Sequence, residues 1–134
     1  MSKKGDRSSE ETWVLLPDGS VIVAQCANHP SSERYIIATD TWQIEPTLPN
    51  DLVEASSIEI GPGVLMPDGR TFFVGATGAT AIYTMATGGA TQGTWTAGPN
   101  INDKLDKGSK DGPGCLMVNG NVLFPRRAHR WQEG

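Results

Sequence analysis

Short apolar runs, each broken by a turn-forming dipeptide, recur along the chain. Val14-Leu15-Leu16 leads through Asp18-Gly19 into Val21-Ile22-Val23-Ala24, and Val64-Leu65-Met66 leads through Asp68-Gly69 into Thr71-Phe72-Phe73-Val74. Cys115-Leu116-Met117 leads through Asn119-Gly120 into Val122-Leu123-Phe124. This pattern predicts three β-hairpins closed by two-residue type I′ turns, because such turns need positive φ at both central positions and Asn, Asp and Gly tolerate it best. The runs are almost continuously apolar, as strands covered on both faces are. Two weaker pairs of extended segments follow the first two hairpins. Arg34-Tyr35-Ile36-Ile37 precedes Thr41-Trp42-Gln43-Ile44 and ends at Leu48-Pro49; Ala81-Ile82-Tyr83-Thr84 precedes Thr94-Trp95-Thr96 and ends at Gly98-Pro99. Their mixture of Thr, Gln and Arg with single large aromatics predicts outer strands.

The turn segments Leu15-Leu16-Pro17-Asp18-Gly19, Leu65-Met66-Pro67-Asp68-Gly69 and Leu116-Met117-Val118-Asn119-Gly120 stand at successive offsets of 50 and 51 residues. A period of that size marks a repeat architecture, in which each unit buries its faces against its neighbours. The predicted organisation is a disordered tail over 1–11, a four-stranded unit over 12–50 and a second over 51–100. A crossover loop and the first hairpin of a third unit occupy 101–124, and a C-terminal tail occupies 125–134.

An inner hairpin, a Tyr on the third strand (Tyr35, Tyr83), a Thr-Trp on the fourth (Thr41-Trp42, Thr94-Trp95) and a closing Pro (Pro49, Pro99) together resemble a kelch-type β-propeller blade. The resemblance runs from about Thr12 to Phe124 and is nearest to bacterial kelch-repeat proteins and galactose-oxidase-like propeller domains. It implies an all-β, propeller-like stack of four-stranded antiparallel blades, incomplete in one chain. Trp42 and Trp95 are then expected to pack between adjacent sheets. Such a stack either associates with copies of itself or belongs to a longer propeller, so a homo-oligomer is the expected partner state.

Composition narrows the reading further. The chain has 134 residues, 37% of them hydrophobic and 19% charged, which suits one globular domain. Sixteen glycines and nine prolines favour turns and extended segments over helices. A net charge of −4 is the wrong sign for a nucleic-acid partner, and the basic cluster Arg126, Arg127, His129 and Arg130 reads as a solvated tail. Cys26 and Cys115 lack a C-x-x-C spacing and read as small buried residues rather than a disulfide. No apolar run follows the basic residues at the N-terminus and none reaches the ~18 residues that span a bilayer, so no membrane partner and a cytoplasmic setting are expected.

Candidate chemistry is sparse. In a propeller-like unit the loops opposite the Asp-Gly turns carry the binding face, and the candidate binding residues there are Asn28, His29, Glu33 and Glu54. His29 and Glu33 suit an acid–base or metal-ligating pair, but a metal site takes three or four ligands at set spacing. No metal, cofactor or catalytic residue is therefore assigned. Lys107 and Lys110 interrupt any calcium-loop register in Asn102–Gly112, and there is no G-x-S-x-G elbow or Walker loop. The two His and two Tyr do not assemble the copper site of galactose-oxidase-like catalysis. The expected function is a non-catalytic module for binding or self-assembly, with a protein or glycan ligand. The alternatives are a hydrolase or lyase using His29, Glu33, Glu54 and Asp103 across an assembled ring, and a carbohydrate-binding module acting through Trp42 and Trp95.

Overall fold

The structure, a computed structural model, describes residues 3–7, 10–101 and 109–125. The first sheet consists of β1 (Thr12–Leu15), β2 (Val21–Ala24), β3 (Ser32–Ile36) and β4 (Thr41–Glu45), antiparallel and in chain order. The second repeats that meander with β5 (Gly63–Leu65), β6 (Thr71–Val74), β7 (Thr80–Thr84) and β8 (Thr94–Ala97). A third hairpin pairs β9 (Cys115–Leu116) with β10 (Val122–Leu123). Among the described residues there is no α-helix, only a 3₁₀ turn at Ile37–Thr39, so the chain is all-β with stacked four-stranded antiparallel sheets.

The three hairpin turns share one hydrogen-bond pattern. The amides of Leu16, Met66 and Met117 donate to the carbonyls of Ser20, Arg70 and Asn121, each at 2.8 Å, and Gly19, Gly69 and Gly120 donate back to Leu16, Met66 and Met117. Only the glycines have positive φ, at 83°, 84° and 84°. These are three-residue loops, a type I turn closed by a left-handed Gly, and not the expected two-residue type I′ turns. Pro17 and Pro67 suit this geometry, because a proline ring holds φ near −65° at the first central position of a type I turn, and Val118 takes the same position in the third hairpin. Asp18, Asp68 and Asn119 then accept the amide two residues on, at 2.9, 3.1 and 3.1 Å.

Strand alternation gives the first sheet two faces. Val14, Ile22, Ala24, Ser32, Arg34 and Glu45 face the second sheet, which answers with Phe73, Ala81, Tyr83 and Trp95. The Trp95 indole packs at 5.1 Å from Phe73 and 5.0 Å from Tyr83, and its N–H donates to Ser32 Oγ at 2.9 Å. The crossover between the sheets closes one end of this core with Leu48, Leu52, Val53 and Ile60. Inner strands meet through Gly63, where a Cβ would fall 2.5 Å from Val14 Cγ2 and 2.7 Å from Thr12 Cγ2. Gly114 repeats the contact one unit later, its Cβ position lying 2.6 Å from Pro62 Cβ.

Trp95 thus packs between sheets as expected, but Trp42 does not. Trp42 lies on the far face of the first sheet, in an edge contact with Trp13 at 5.6 Å and beside Tyr35 at 5.3 Å. The closing prolines also shift. Ser32 Oγ donates to Pro46 O at 2.8 Å where Thr80 Oγ1 donates to Pro99 O at 2.7 Å, so Pro46, not Pro49, matches Pro99. Cys26 is buried in the core, whereas Cys115 is exposed, no sheet among the described residues covering the outer side of the third hairpin; both are free thiols.

Candidate functional site

The end of the stack opposite the hairpin turns is built from the β2–β3 loop, the first crossover, the β6–β7 turn and the segment after residue 108. The crossover is tied to its neighbours by backbone bonds from Leu48 N to Pro30 O and from Ala76 N to Leu52 O. Thr77 Oγ1 donates to Asp51 O at 2.8 Å, and Asp51 Oδ1 takes the Val53 amide. This holds Asp51 so that its Oδ2 meets His29 Nδ1 at 2.6 Å, with the imidazole and carboxylate 25% and 42% exposed. An oriented imidazole can move a proton, but among the described residues no hydroxyl or thiol is hydrogen-bonded to His29 to serve as nucleophile.

The expected His29 and Glu33 pair is not brought together. Strand alternation turns Glu33 onto the far face of the first sheet, where it is buried and paired with the N-terminal segment, while His29 belongs to the loop end. Glu54 is drawn into a different cluster, an ion pair with Lys110, which also lies 3.5 Å from Glu59 and donates to Ser57 Oγ at 2.9 Å. Asn28 donates its side-chain amide to Gln25 and its backbone N–H to Asp6 Oδ2. Asp103 and the basic C-terminal cluster lie outside the described residues. Of the hydrolase reading, His29, Glu33 and Glu54 thus fall in three separate places.

Two polar clusters escaped the sequence reading. Between the sheets, Arg34 Nε donates to Glu45 Oε1 at 2.9 Å, Glu45 Oε2 takes the Gly93 amide at 2.8 Å, and Arg34 reaches Asp18 and Thr91 O at 3.3 and 3.2 Å. Burial alone would raise the Asp18 carboxyl; the Ser20 hydroxyl and amide and the nearby guanidinium outweigh it and hold it below the ordinary range. On the far face of the first sheet, Lys4 Nζ meets Glu11 Oε1 at 2.7 Å and Glu33 Oε2 at 3.8 Å, and lies 5.6 Å from the centre of the Trp42 ring. Burial raises the Glu11 carboxyl above its usual range, with Lys4 opposing the shift. Burial also pushes the Cys26 thiol up to about 12, helped by the nearby Glu11 charge.

Among the described residues no three His, Cys, Asp or Glu side chains come together in a metal-holding group, and no helix is long and apolar enough to cross a membrane. The chain matches no protein-family model and no curated protein.

Proposed function

We propose that the chain is a non-catalytic, kelch-like propeller module that binds or self-associates through its third hairpin. The observation that carries this reading is the open edge of β10. In both four-stranded sheets the second strand is paired on both sides, β2 between β1 and β3 and β6 between β5 and β7, whereas β10 pairs with β9 alone among the described residues. An unpaired strand edge offers a row of amides and carbonyls to another strand. Beside it lies an apolar trough of about 440 Å³ lined by Pro113, Gly114, Cys115, Leu123, Phe124 and Pro125. Leu116, Met117, Val118 and Leu123 are all exposed there, an apolar patch of the kind that marks an interaction surface.

Light scattering coupled to size-exclusion chromatography tests the reading. The chain is expected to elute as a dimer or larger at high protein concentration, and Leu123→Glu, which puts a charge on the exposed edge strand, is expected to return it to a monomer with unchanged circular dichroism. A well-folded monomer at all concentrations overturns self-association.

A further inference from the structure

The geometry points to a second site, on the far face of the first sheet, that recognises a Lys-Gly-Asp peptide segment bent at its Gly and Asp and is filled in cis by Lys4, Gly5 and Asp6. Each of the three residues meets a group suited to it. The Lys4 ammonium is enclosed by two carboxylates and an aromatic face, with the Glu11 and Glu33 side chains only 1% and 6% exposed. Trp13 Nε1 donates to Glu11 Oε2 at 3.2 Å and so orients the shorter of the two ion pairs. The Gly5 amide donates to Glu33 Oε1 at 2.8 Å, and a Cβ on Gly5 would fall 2.5 Å from that same oxygen. The Asp6 carboxylate accepts the backbone amides of Ala27 and Asn28, each at 3.1 Å, two donors converging on one oxygen.

The groups around the Lys4 ammonium are those that suit a cation. Two buried carboxylates facing one aromatic ring are costly to leave uncompensated, and an ammonium ion over a Trp face gains from both the charges and the ring quadrupole. Glu33 Oε2 is buried and without a hydrogen-bond partner among the described residues, so the oxygen aimed at the ammonium has capacity to spare. The segment is held by ion pairs, hydrogen bonds and the contact of Lys4 with the Trp42 ring, and Lys3, Lys4, Gly5, Asp6 and Arg7 take no part in the apolar core cluster. It is therefore a ligand that the same tripeptide chemistry on another polypeptide can replace by mass action. Neither the third hairpin nor the oligomeric state enters this inference.

Isothermal titration calorimetry of the full chain with acetyl-Lys-Gly-Asp-amide tests it. The variant Lys4→Ala,Asp6→Ala, which empties the site, is expected to bind the peptide saturably and at least tenfold more tightly than the unaltered chain. Replacing the peptide's Lys by Leu, or adding Glu33→Gln to the variant, is expected to weaken binding at least tenfold. Where the double variant loses its β-sheet circular dichroism, Lys4→Met alone replaces it in the same comparison. Absence of saturable binding to a folded variant, or equal binding of the Leu peptide, overturns the proposal and leaves Lys4 a purely structural ion pair.

Discussion

Replacing Arg34 with Met asks whether the polar seam between the sheets is needed in addition to the apolar core. Arg34 is buried; it donates to Glu45 at 2.9 Å, to Asp18 at 3.3 Å and to Thr91 O at 3.2 Å, and thereby joins β3 and β4 to the loop before β8. Glu45 has no exposed side-chain surface and keeps the Gly93 amide at 2.8 Å and the Gln43 side-chain amide at 3.2 Å, but no cation, when the guanidinium goes. Methionine retains most of the arginine stem's packing, so the loss is mainly electrostatic. Removing one partner from a buried ion pair costs about 3–5 kcal/mol, because the other charge stays buried and uncompensated. A loss of about 4 kcal/mol is large against the 5–15 kcal/mol that typically holds a domain. With a urea slope of about 1–3 kcal/mol/M, the unfolding midpoint should fall by about 2 M, read by tryptophan fluorescence because Trp95 sits in the same interface. Glu45→Gln in the Arg34→Met background removes the stranded charge but keeps an acceptor for Gly93, and should recover about 2 kcal/mol as a coupling energy. A cost below about 1 kcal/mol for Arg34→Met, or strict additivity of the two substitutions, would show that the seam is incidental and that apolar packing alone joins the sheets.

Gly63→Ala should destabilise the chain by about 1–3 kcal/mol in the same urea assay, since the new methyl lands on Val14 and Thr12 and must part the inner strands; unchanged stability would contradict the close approach. A thiol reagent at pH 8 should modify Cys115 rapidly and Cys26 only after urea is added. Cys26 is buried with its pKa pushed up to about 12, so about one molecule in 10,000 carries the thiolate at that pH. Its thiol form is favoured in the folded state below the unfolded value of about 9.0, so that contribution to stability is lost as pH rises from there towards 12. Equal modification rates at the two cysteines would refute the burial of Cys26.

The strands were legible because hairpins are local: an apolar run, an Asp-Gly or Asn-Gly and another run need no knowledge of what packs against them. The turn type differs because an Asp-Gly or Asn-Gly pair equally serves a three-residue loop in which the Gly alone has positive φ, a loop that Pro17 and Pro67 favour and that Val118 also allows. Matching Pro49 to Pro99 failed for a related reason. The link between β3 and β4 is a tight 3₁₀ turn at Ile37–Thr39, whereas β7 and β8 are joined by the longer 85–93 loop, so a fixed offset slips inside the unit. The site was less legible. Glu33 and Arg34 are sequence neighbours that β alternation sends to opposite faces, one to Lys4 and the other to Glu45, partners 29 residues before and 11 residues after. His29 finds Asp51 through a crossover whose path no short-range pattern encodes.

One register position ties the stack to the second site. Residues 61–63 and 112–114 both read Gly-Pro-Gly, and the shared turn hydrogen bonds place Glu11-Thr12-Trp13 at the same position of the first unit. In the later units these residues make the sheet-to-sheet contact: Gly61 takes the Thr12 hydroxyl on its carbonyl, and Gly63 and Gly114 let the inner strands close on Val14 and Val64. In the first unit Trp13 fills the place where a neighbouring sheet would have to approach, and Glu11 supplies the carboxylate that holds Lys4. Substituting a large ring and a charge for two glycines converts a sheet-packing face into a peptide-binding one. The two ends of the stack are therefore chemically unlike: at the other end Gly114 keeps the repeat's geometry, and β10 pairs with β9 alone among the described residues.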